Sequence, residues 1–213
     1  MLSPLVPWDI MPTNAGEASV IILALVLGMA LPITPIQILW VNMVTAVTLG
    51  IALAFEPTED DTMRRPPRPR NKPLLTGTLL WHIILVATLF LAGVFGIYAY
   101  AIDRGYSIEL ARTLAMNTLV VMEVFHLFFI RNMYGTSLTW KAVRGTQVVW
   151  LAVSAVTVGQ FAITYVPALQ AIFATEPVPF RDGLLVVAIG IALFIIIEIE
   201  KQIRLRLSPT AGF

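Results

Sequence analysis

The chain has 213 residues and a formal net charge of +1, and 58% of its residues are hydrophobic while only 13% are charged. Because about 25% of the residues of a soluble domain are charged, this composition indicates a membrane protein. The near-neutral charge supplies no global field to attract a nucleic-acid partner, and the absence of cysteine excludes disulfides and thiolate metal sites.

Six apolar stretches predict membrane-spanning helices, since a span needs about 20 mainly apolar residues. In chain order they cover approximately residues 13–31, 36–55, 79–101, 110–130, 148–166 and 184–199. Pro32 and Pro35 predict a tight turn between the first two spans, because neither proline can continue a helix. The sequence therefore predicts an all-α polytopic membrane protein, one bundle of six transmembrane helices over residues 1–213.

The positions of Lys and Arg predict the orientation of this bundle. Most basic residues follow the second, fourth and sixth spans, and few lie in the other connections. Positive residues collect on the cytoplasmic side of a membrane, so both termini are predicted to be cytoplasmic. The segment 56–73 is rich in Pro and charge, which predicts an extended cytoplasmic strap.

Polar side chains lie within three of the predicted spans, where an ionised group is costly and therefore a functional candidate. Asn14 and Glu17 are three residues apart in the first span and share one helical face. Asn42 and Thr45 repeat this spacing in the second span, and Glu123 lies in the fourth. Hard cations such as calcium bind about six to eight oxygen atoms, so the pattern predicts an oxygen-lined cation site between helices.

Two of these pairs also fit a structural role. Asn14-x-x-Glu17 matches a helix capping box, in which Asn begins the helix and Glu is its third residue. Asn42 and Thr45 are also typical of hydrogen bonds that hold membrane helices together.

The other polar residues of the spans are interpreted as structural. His126, three residues after Glu123, is interpreted as a hydrogen-bonded packing residue, and Gln160 as a packing residue. His82 is predicted to lie at the membrane interface, near the start of the third span. Glu198 and Glu200, at the end of the last span, are predicted to face water.

Several segments resemble type II P-type ATPases, the family that includes the sarcoplasmic reticulum calcium pump. Residues 36–45 (IQILWVNMVT) resemble the sixth transmembrane helix of that family, and residues 63–77 (MRRPPRPRNKPLLTG) resemble the cytoplasmic loop that follows it. Asn14-Ala-Gly-Glu17 resembles the Asn-x-Gly-Glu of the fifth helix, and Pro12-Thr13-Asn14 resembles a bacterial branch. Glu123 falls where the eighth helix carries an ion-binding Glu.

The resemblance implies that the six spans are helices five to ten of a ten-helix pump. It also implies that the pump lies in a cell membrane, namely the plasma membrane of a bacterium. Its partners would be the lipid bilayer and the N-terminal half of the pump, helices one to four and the cytoplasmic domains, in the same polypeptide or in a separate chain. In that family ATP phosphorylates an aspartate, and domain motions expose the ion site to each membrane face in turn. The cation ligands implied by matching positions are Asn14, Glu17, Asn42, Thr45 and Glu123.

Calcium is the leading candidate for the transported cation, with one departure from the family pattern. Ala46 stands where the family's calcium pumps carry Asp, so a second ion would need acids from the fourth helix. We also expect Glu17 and Glu123 to share the cation and to take up protons when it leaves.

The chain contains neither a phosphorylation motif, Asp-Lys-Thr-Gly-Thr, nor a Gly-x-x-x-x-Gly-Lys phosphate loop. ATP and magnesium would therefore act only through cytoplasmic domains outside this sequence, and the chain is predicted to be inactive as an ATPase alone. The alternative is a stand-alone membrane module, derived from a pump fragment, that binds cations or lets them pass.

Overall fold

The computed structural model describes residues 6–44, 76–131 and 147–207, which form helices joined by short turns, without strands in these ranges. The helices are α1 (Val6–Val26), α2 (Pro35–Val44), α3 (Gly77–Asp103), α4 (Ile108–Ile130), α5 (Gln147–Tyr165), α6 (Pro167–Phe173) and α7 (Phe180–Leu207). The predicted all-α membrane fold is confirmed. Of the described helices, α3, α4, α5 and α7 are long and apolar enough to cross a membrane, and residues 11–26 of α1 form a shorter apolar helix. The predicted second span continues beyond the described residues, so the count of six stays a prediction.

The turn between α3 and α4 is encoded locally. Gly105 adopts a left-handed conformation with φ of 73°, and the Tyr106 amide donates to the carbonyl of Ala101 at 3.1 Å. This pattern, a Schellman motif, ends α3 and satisfies its last carbonyls. Ser107 then begins α4, since its hydroxyl accepts a hydrogen bond from the Leu110 amide at 3.1 Å. Four residues therefore suffice to make α3 and α4 antiparallel neighbours.

The capping box of the first hairpin lies at α2 and not in α1. Thr34 and Gln37 exchange hydrogen bonds, from the Thr34 amide to Gln37 Oε1 at 3.0 Å and from the Gln37 amide to Thr34 Oγ1 at 3.4 Å. This reciprocal pair satisfies the first amides of α2. By contrast, α1 begins at Val6, so Asn14 and Glu17 lie in the helix interior and do not form its cap. The capping-box interpretation of these two residues is therefore wrong.

Helix α4 is the centre of the bundle. Within its apolar window 72% of the residues are buried, compared with 33% in each of α3, α5 and α7. Small residues on the neighbouring helices allow close approach. A Cβ added to Gly190 of α7 would lie 2.6 Å from Val121 of α4, and one added to Gly93 of α3 would lie 2.8 Å from Met122. Side chains of α4 therefore face protein on most sides.

The bundle has two distinct ends. Near one end, Arg112 Nε donates to the carbonyl of Leu31 at 3.1 Å, and Gln37 Nε2 donates to that of Phe173 at 3.0 Å. The first bond joins the turn after α1 to the start of α4, and the second joins the end of α6 to the start of α2. At the opposite end Trp81 of α3 donates to Glu200 of α7 at 3.0 Å. We call this the basic end, because α7 carries three of its four basic residues there: Lys201, Arg204 and Arg206.

Candidate cation site

Two carboxyl groups meet in the interior of the bundle. Glu17 of α1 and Glu123 of α4 are buried, with 6% and 1% of their surfaces exposed. Their carboxyl groups lie close enough for Glu123 to act directly on Glu17. Two adjacent buried carboxylates repel strongly in a low dielectric, so the arrangement requires a proton or a cation to bind between them. We call Glu17 and Glu123 the acid pair.

Helix α2 adds an amide group to the acid pair. Asn42 Nδ2 donates to Glu17 Oε2 at 2.8 Å and to the carbonyl of Ile38 at 3.1 Å. The other oxygen, Glu17 Oε1, accepts no hydrogen bond from the residues that the structure describes. Three helices, α1, α2 and α4, therefore contribute polar groups to one cluster.

The other two predicted ligands are placed differently. Asn14 lies three residues before Glu17 on α1, but its side chain is exposed while that of Glu17 is buried. Thr45 lies outside the described residues. The structure thus brings together Glu17, Asn42 and Glu123. Within the described ranges no three acidic or histidine side chains converge, so any cation there would also need neutral oxygen ligands.

A second polar cluster connects α2, α4 and α5. Gln160 Nε2 donates to Asn117 Oδ1, and Trp40 Nε1 donates to Gln160 Oε1 at 2.9 Å. Thr164 Oγ1 also donates to Asn117 Oδ1, at 3.3 Å. Buried polar groups satisfied in this way stabilise a unique packing. Since Trp40 lies two residues before Asn42, this network fixes the position of α2 beside the acid pair. Gln160, interpreted from the sequence as a packing residue, also forms hydrogen bonds to two neighbouring helices.

Two histidines form a buried pair between α3 and α4. His82 Nε2 and His126 Nε2 are 3.2 Å apart, and both residues are at most 1% exposed. Phe129 stacks on both rings, with centroid distances of 5.1 Å to His82 and 6.0 Å to His126. The interpretation of His126 as a hydrogen-bonded packing residue agrees with this contact. His82 is covered by α4, and its predicted depth near the membrane interface stays a prediction.

The predicted water-facing position of Glu198 is wrong. Lys201 Nζ lies 2.7 Å from Glu198 Oε2, and the two side chains are 0% and 3% exposed. Lys201 Nζ also lies 4.6 Å from the centre of the Phe129 ring. Their spacing of three residues, which places both on one face of a helix, is the sequence pattern that could have indicated this pair. Glu200, which contacts Arg204 at 3.2 Å, remains partly exposed.

Sequence reasoning missed an anchor at the end opposite the basic end. Tyr100 Oη donates to Asp182 Oδ1 at 3.1 Å, and Tyr106 Oη donates to Asp182 Oδ2 at 3.0 Å. The hydrogen bond to the Asp182 carboxylate raises the pKa of Tyr106, since losing the phenolic proton would lose this bond. The two bonds hold the start of α7 against α3 and its following turn.

Comparisons with known proteins agree with this architecture. Residues 30–203 match the family model described as "Cation transporting ATPase, C-terminus". Over 210 residues, 98% of this chain, the sequence is 41% identical to "Probable cation-transporting ATPase F" of Mycobacterium tuberculosis, covering 23% of that protein. It is 31% identical over 184 residues to "Calcium-transporting ATPase" of Bacillus subtilis, covering 85% of this chain and 20% of that protein.

The chain therefore spans about a fifth to a quarter of the length of the curated relatives that it matches. The family model covers most of the sequence, and its matched range includes α2 to α5 and most of α7. The resemblance stated from the sequence motifs is confirmed. The chain belongs to the cation transporting ATPase C-terminus family and is the C-terminal membrane region of a P-type cation-transporting ATPase.

Proposed function

We propose that this region supplies much of the intramembrane ion site of an ATP-driven cation pump. The observation that carries the proposal is the proximity of the carboxyl groups of Glu17 and Glu123 inside the bundle. Two carboxylates carry the charge needed to neutralise one divalent cation. A cation between them would replace repulsion by attraction to both groups.

The available ligands favour a hard cation. Two bidentate carboxylates and the amide oxygen of Asn42 would supply about five of the six to eight oxygens that calcium requires. Asn14 and Thr45 are our candidates for the remaining ligands, together with groups outside this chain. Calcium is the leading candidate because of this oxygen chemistry and because the Bacillus subtilis relative is named a calcium-transporting ATPase. Ala46, in place of an acid, favours a single ion in this part of the site.

Release of the cation would be coupled to proton uptake by the acid pair. Without a cation, a proton shared by Glu17 and Glu123 removes their repulsion. The Asn42 Nδ2 group already donates to Glu17 Oε2, which stabilises the cation-free arrangement. For cation binding, rotation of the Asn42 amide would present its oxygen instead of its nitrogen. Proton countertransport follows from this exchange.

The remaining parts of the pump would be supplied by its N-terminal half. ATP and magnesium would act through its cytoplasmic domains, and this chain alone would not hydrolyse ATP. The lipid bilayer would contact the apolar outer surface of the helix bundle. We place the basic end at the cytoplasmic face of a bacterial plasma membrane, because α7 carries Lys201, Arg204 and Arg206 there.

Cation-dependent phosphorylation of the complete pump tests this proposal across a panel of ions. In Glu17→Gln and Glu123→Gln, the cation concentration for half-maximal phosphorylation should rise at least about tenfold, since a buried charge-assisted contact contributes more than 1.4 kcal/mol. Glu109→Gln is the matched control, because Glu109 lies in the first turn of α4, far along the helix from Glu123. Unchanged cation dependence in both acid-pair variants would refute the site.

A further inference from the structure

Three arginines lie away from the basic end of the bundle: Arg104, Arg112 and Arg181. Arg112 has a partner there, since its Nε donates to the carbonyl of Leu31 at 3.1 Å. Arg104 and Arg181, by contrast, form no ion pair with a carboxylate of the residues that the structure describes. Each guanidinium carries five N–H donors, so these two groups are available to bind an anion.

Both of these arginines line one cavity, which lies between the end of α3 and the start of α7. Its volume is about 420 Å³, within the range of roughly 300–1,000 Å³ that is typical of ligand sites. The other lining residues are Tyr100, Tyr106, Pro179, Phe180 and Asp182. We call this space the arginine cavity.

The tyrosine anchor brings the two arginines together. Tyr100 Oη donates to Asp182 Oδ1 at 3.1 Å, and each arginine is close in sequence to one member of this bond. Arg104 follows Tyr100 by four residues, and its guanidinium carbon lies over the Tyr100 ring, 5.1 Å from the ring centre. Arg181 directly precedes Asp182. The cation–π contact holds the Arg104 guanidinium in place before a ligand binds.

The charges around the arginine cavity favour one anion. Arg104 and Arg181 bring two positive charges and Asp182 one negative charge, which leaves an excess of one positive charge. Asp182 is only 3% exposed, and its two oxygens already accept the hydroxyl protons of Tyr100 and Tyr106. Arg181 lies in the first turn of α7, where the helix dipole makes a positive charge unfavourable. An anion between the two arginines would offset this cost.

The position of the cavity indicates where such an anion comes from. Helices α3 and α7 are long and apolar enough to cross a membrane, so their ends lie at the level of the lipid headgroups. Tyrosines such as Tyr100 and Tyr106 are enriched at this level. Phe180 is 80% exposed and presents an apolar surface at the rim of the cavity. A lipid headgroup therefore has both its phosphate and its apolar part matched by the protein.

We propose that the arginine cavity binds the phosphodiester headgroup of an anionic lipid between Arg104 and Arg181. The phosphate oxygens accept hydrogen bonds from both guanidinium groups, whose planar fork suits phosphate geometry. The bound headgroup then joins the end of α3 to the start of α7, in addition to the tyrosine bonds to Asp182. The cavity contains no residue of the acid pair, so this site is independent of the proposed ion site.

The test measures lipid retention by the complete pump in a neutral detergent, using native mass spectrometry and dioleoylphosphatidylglycerol as the probe. In Arg104→Gln and Arg181→Gln, the concentration for half-maximal retention of the most tightly bound lipid should rise at least about tenfold, because each variant loses charge-assisted hydrogen bonds. Arg206→Gln is the matched control, since Arg206 lies at the opposite end of α7, and it should leave retention unchanged. The cation dependence of phosphorylation should stay near the wild-type value in all three variants.

Wild-type retention in both cavity variants would overturn the proposal, and so would an equal weakening in Arg206→Gln. Two further probes on the wild-type pump identify the source of the phosphate. Dioleoylphosphatidylcholine, which has no net charge, should be retained at least about tenfold more weakly, and inorganic phosphate should not displace phosphatidylglycerol at equal concentration. Equal retention of the two lipids, or displacement by inorganic phosphate, would overturn the assignment to an anionic lipid. These two probes remain decisive if a variant fails to fold.

Discussion

The buried ion pair at the basic end offers a demanding test of the packing of α7. In Lys201→Met, Glu198 would lose a partner at 2.7 Å while its side chain stays 3% exposed. Removing one member of a buried pair costs about 3–5 kcal/mol, because the other charge remains buried. Losing the contact of Lys201 with Phe129, at 4.6 Å, adds about 0.5–2 kcal/mol. We therefore expect a loss of at least about 3 kcal/mol in the free energy of unfolding.

The assay is denaturant-induced unfolding of the detergent-solubilised pump, followed by a double-mutant cycle. The double variant Glu198→Gln/Lys201→Met should recover most of the stability, since it leaves no unpaired charge. Glu200→Gln is the matched control on the same helix. Its contact with Arg204 is 3.2 Å long, and both side chains are 19% exposed, so its loss should cost at most about 1 kcal/mol. Equal losses in Lys201→Met and Glu200→Gln would refute the reasoning.

Two further predictions concern helix packing and the anchor of α7. Gly16→Ala places a Cβ 2.8 Å from Phe90 Cβ, so it should lower the free energy of unfolding by about 1–3 kcal/mol and weaken cation-dependent phosphorylation by displacing the adjacent Glu17. The control Gly96→Ala, whose Cβ would meet nothing within 4 Å, should be neutral or stabilising. Equal thermal stability of the two variants would contradict the close packing at Gly16. Asp182→Asn removes the charge that accepts both tyrosine hydrogen bonds and should cost about 1.5–3 kcal/mol in unfolding free energy. The phenol of Tyr106 should then titrate at lower pH in ultraviolet difference spectra. An unchanged titration would show that Asp182 is not the cause of the raised pKa of Tyr106.

The arrangement of the acid pair follows from the central position of α4. Glu123 is the most buried member of the cluster, and the helix that carries it is covered on most sides. Glu17 and Asn42 approach it from α1 and α2, which are joined by a short turn. Because the Trp40–Gln160 hydrogen bond joins α2 to α5, a movement of α5 would shift α2 and with it the position of Asn42. The proposed ion site is thus linked to α5, which contributes none of its proposed ligands.

Part of the site was predictable because charged residues in a membrane are costly. Glu17 and Glu123 stand within apolar stretches, and their burial follows from that cost. Spacing predicted less well which neighbours join them. Asn14 shares a helical face with Glu17 by the spacing of three, yet its side chain is exposed. A helical face is broad, and the positions of α3 and α4 determine which part of it is covered.

The buried histidine pair and the Glu198–Lys201 pair show the same limit. His82 and Glu198 lie near the ends of apolar stretches, where the sequence does not show that neighbouring side chains bury them. Phe129 and the neighbouring helices cover both pairs. Such contacts join residues 44 positions apart, as in His82 and His126, and no local pattern records them.

The sequence by itself determined that this is a helical membrane protein, because the length of its apolar stretches is a local property. Proline and glycine positions likewise determined the turns between helices, and the cost of buried charge marked Glu17 and Glu123 as candidate site residues. Tertiary structure alone decided that Asn42 donates to Glu17, that Asn14 is exposed beside them and that His82 faces His126. These contacts depend on how the helices rotate and pack against α4. That rotation is set by the fit of small residues such as Gly16 and Gly93 against large neighbours, a property of paired surfaces that no single helix contains.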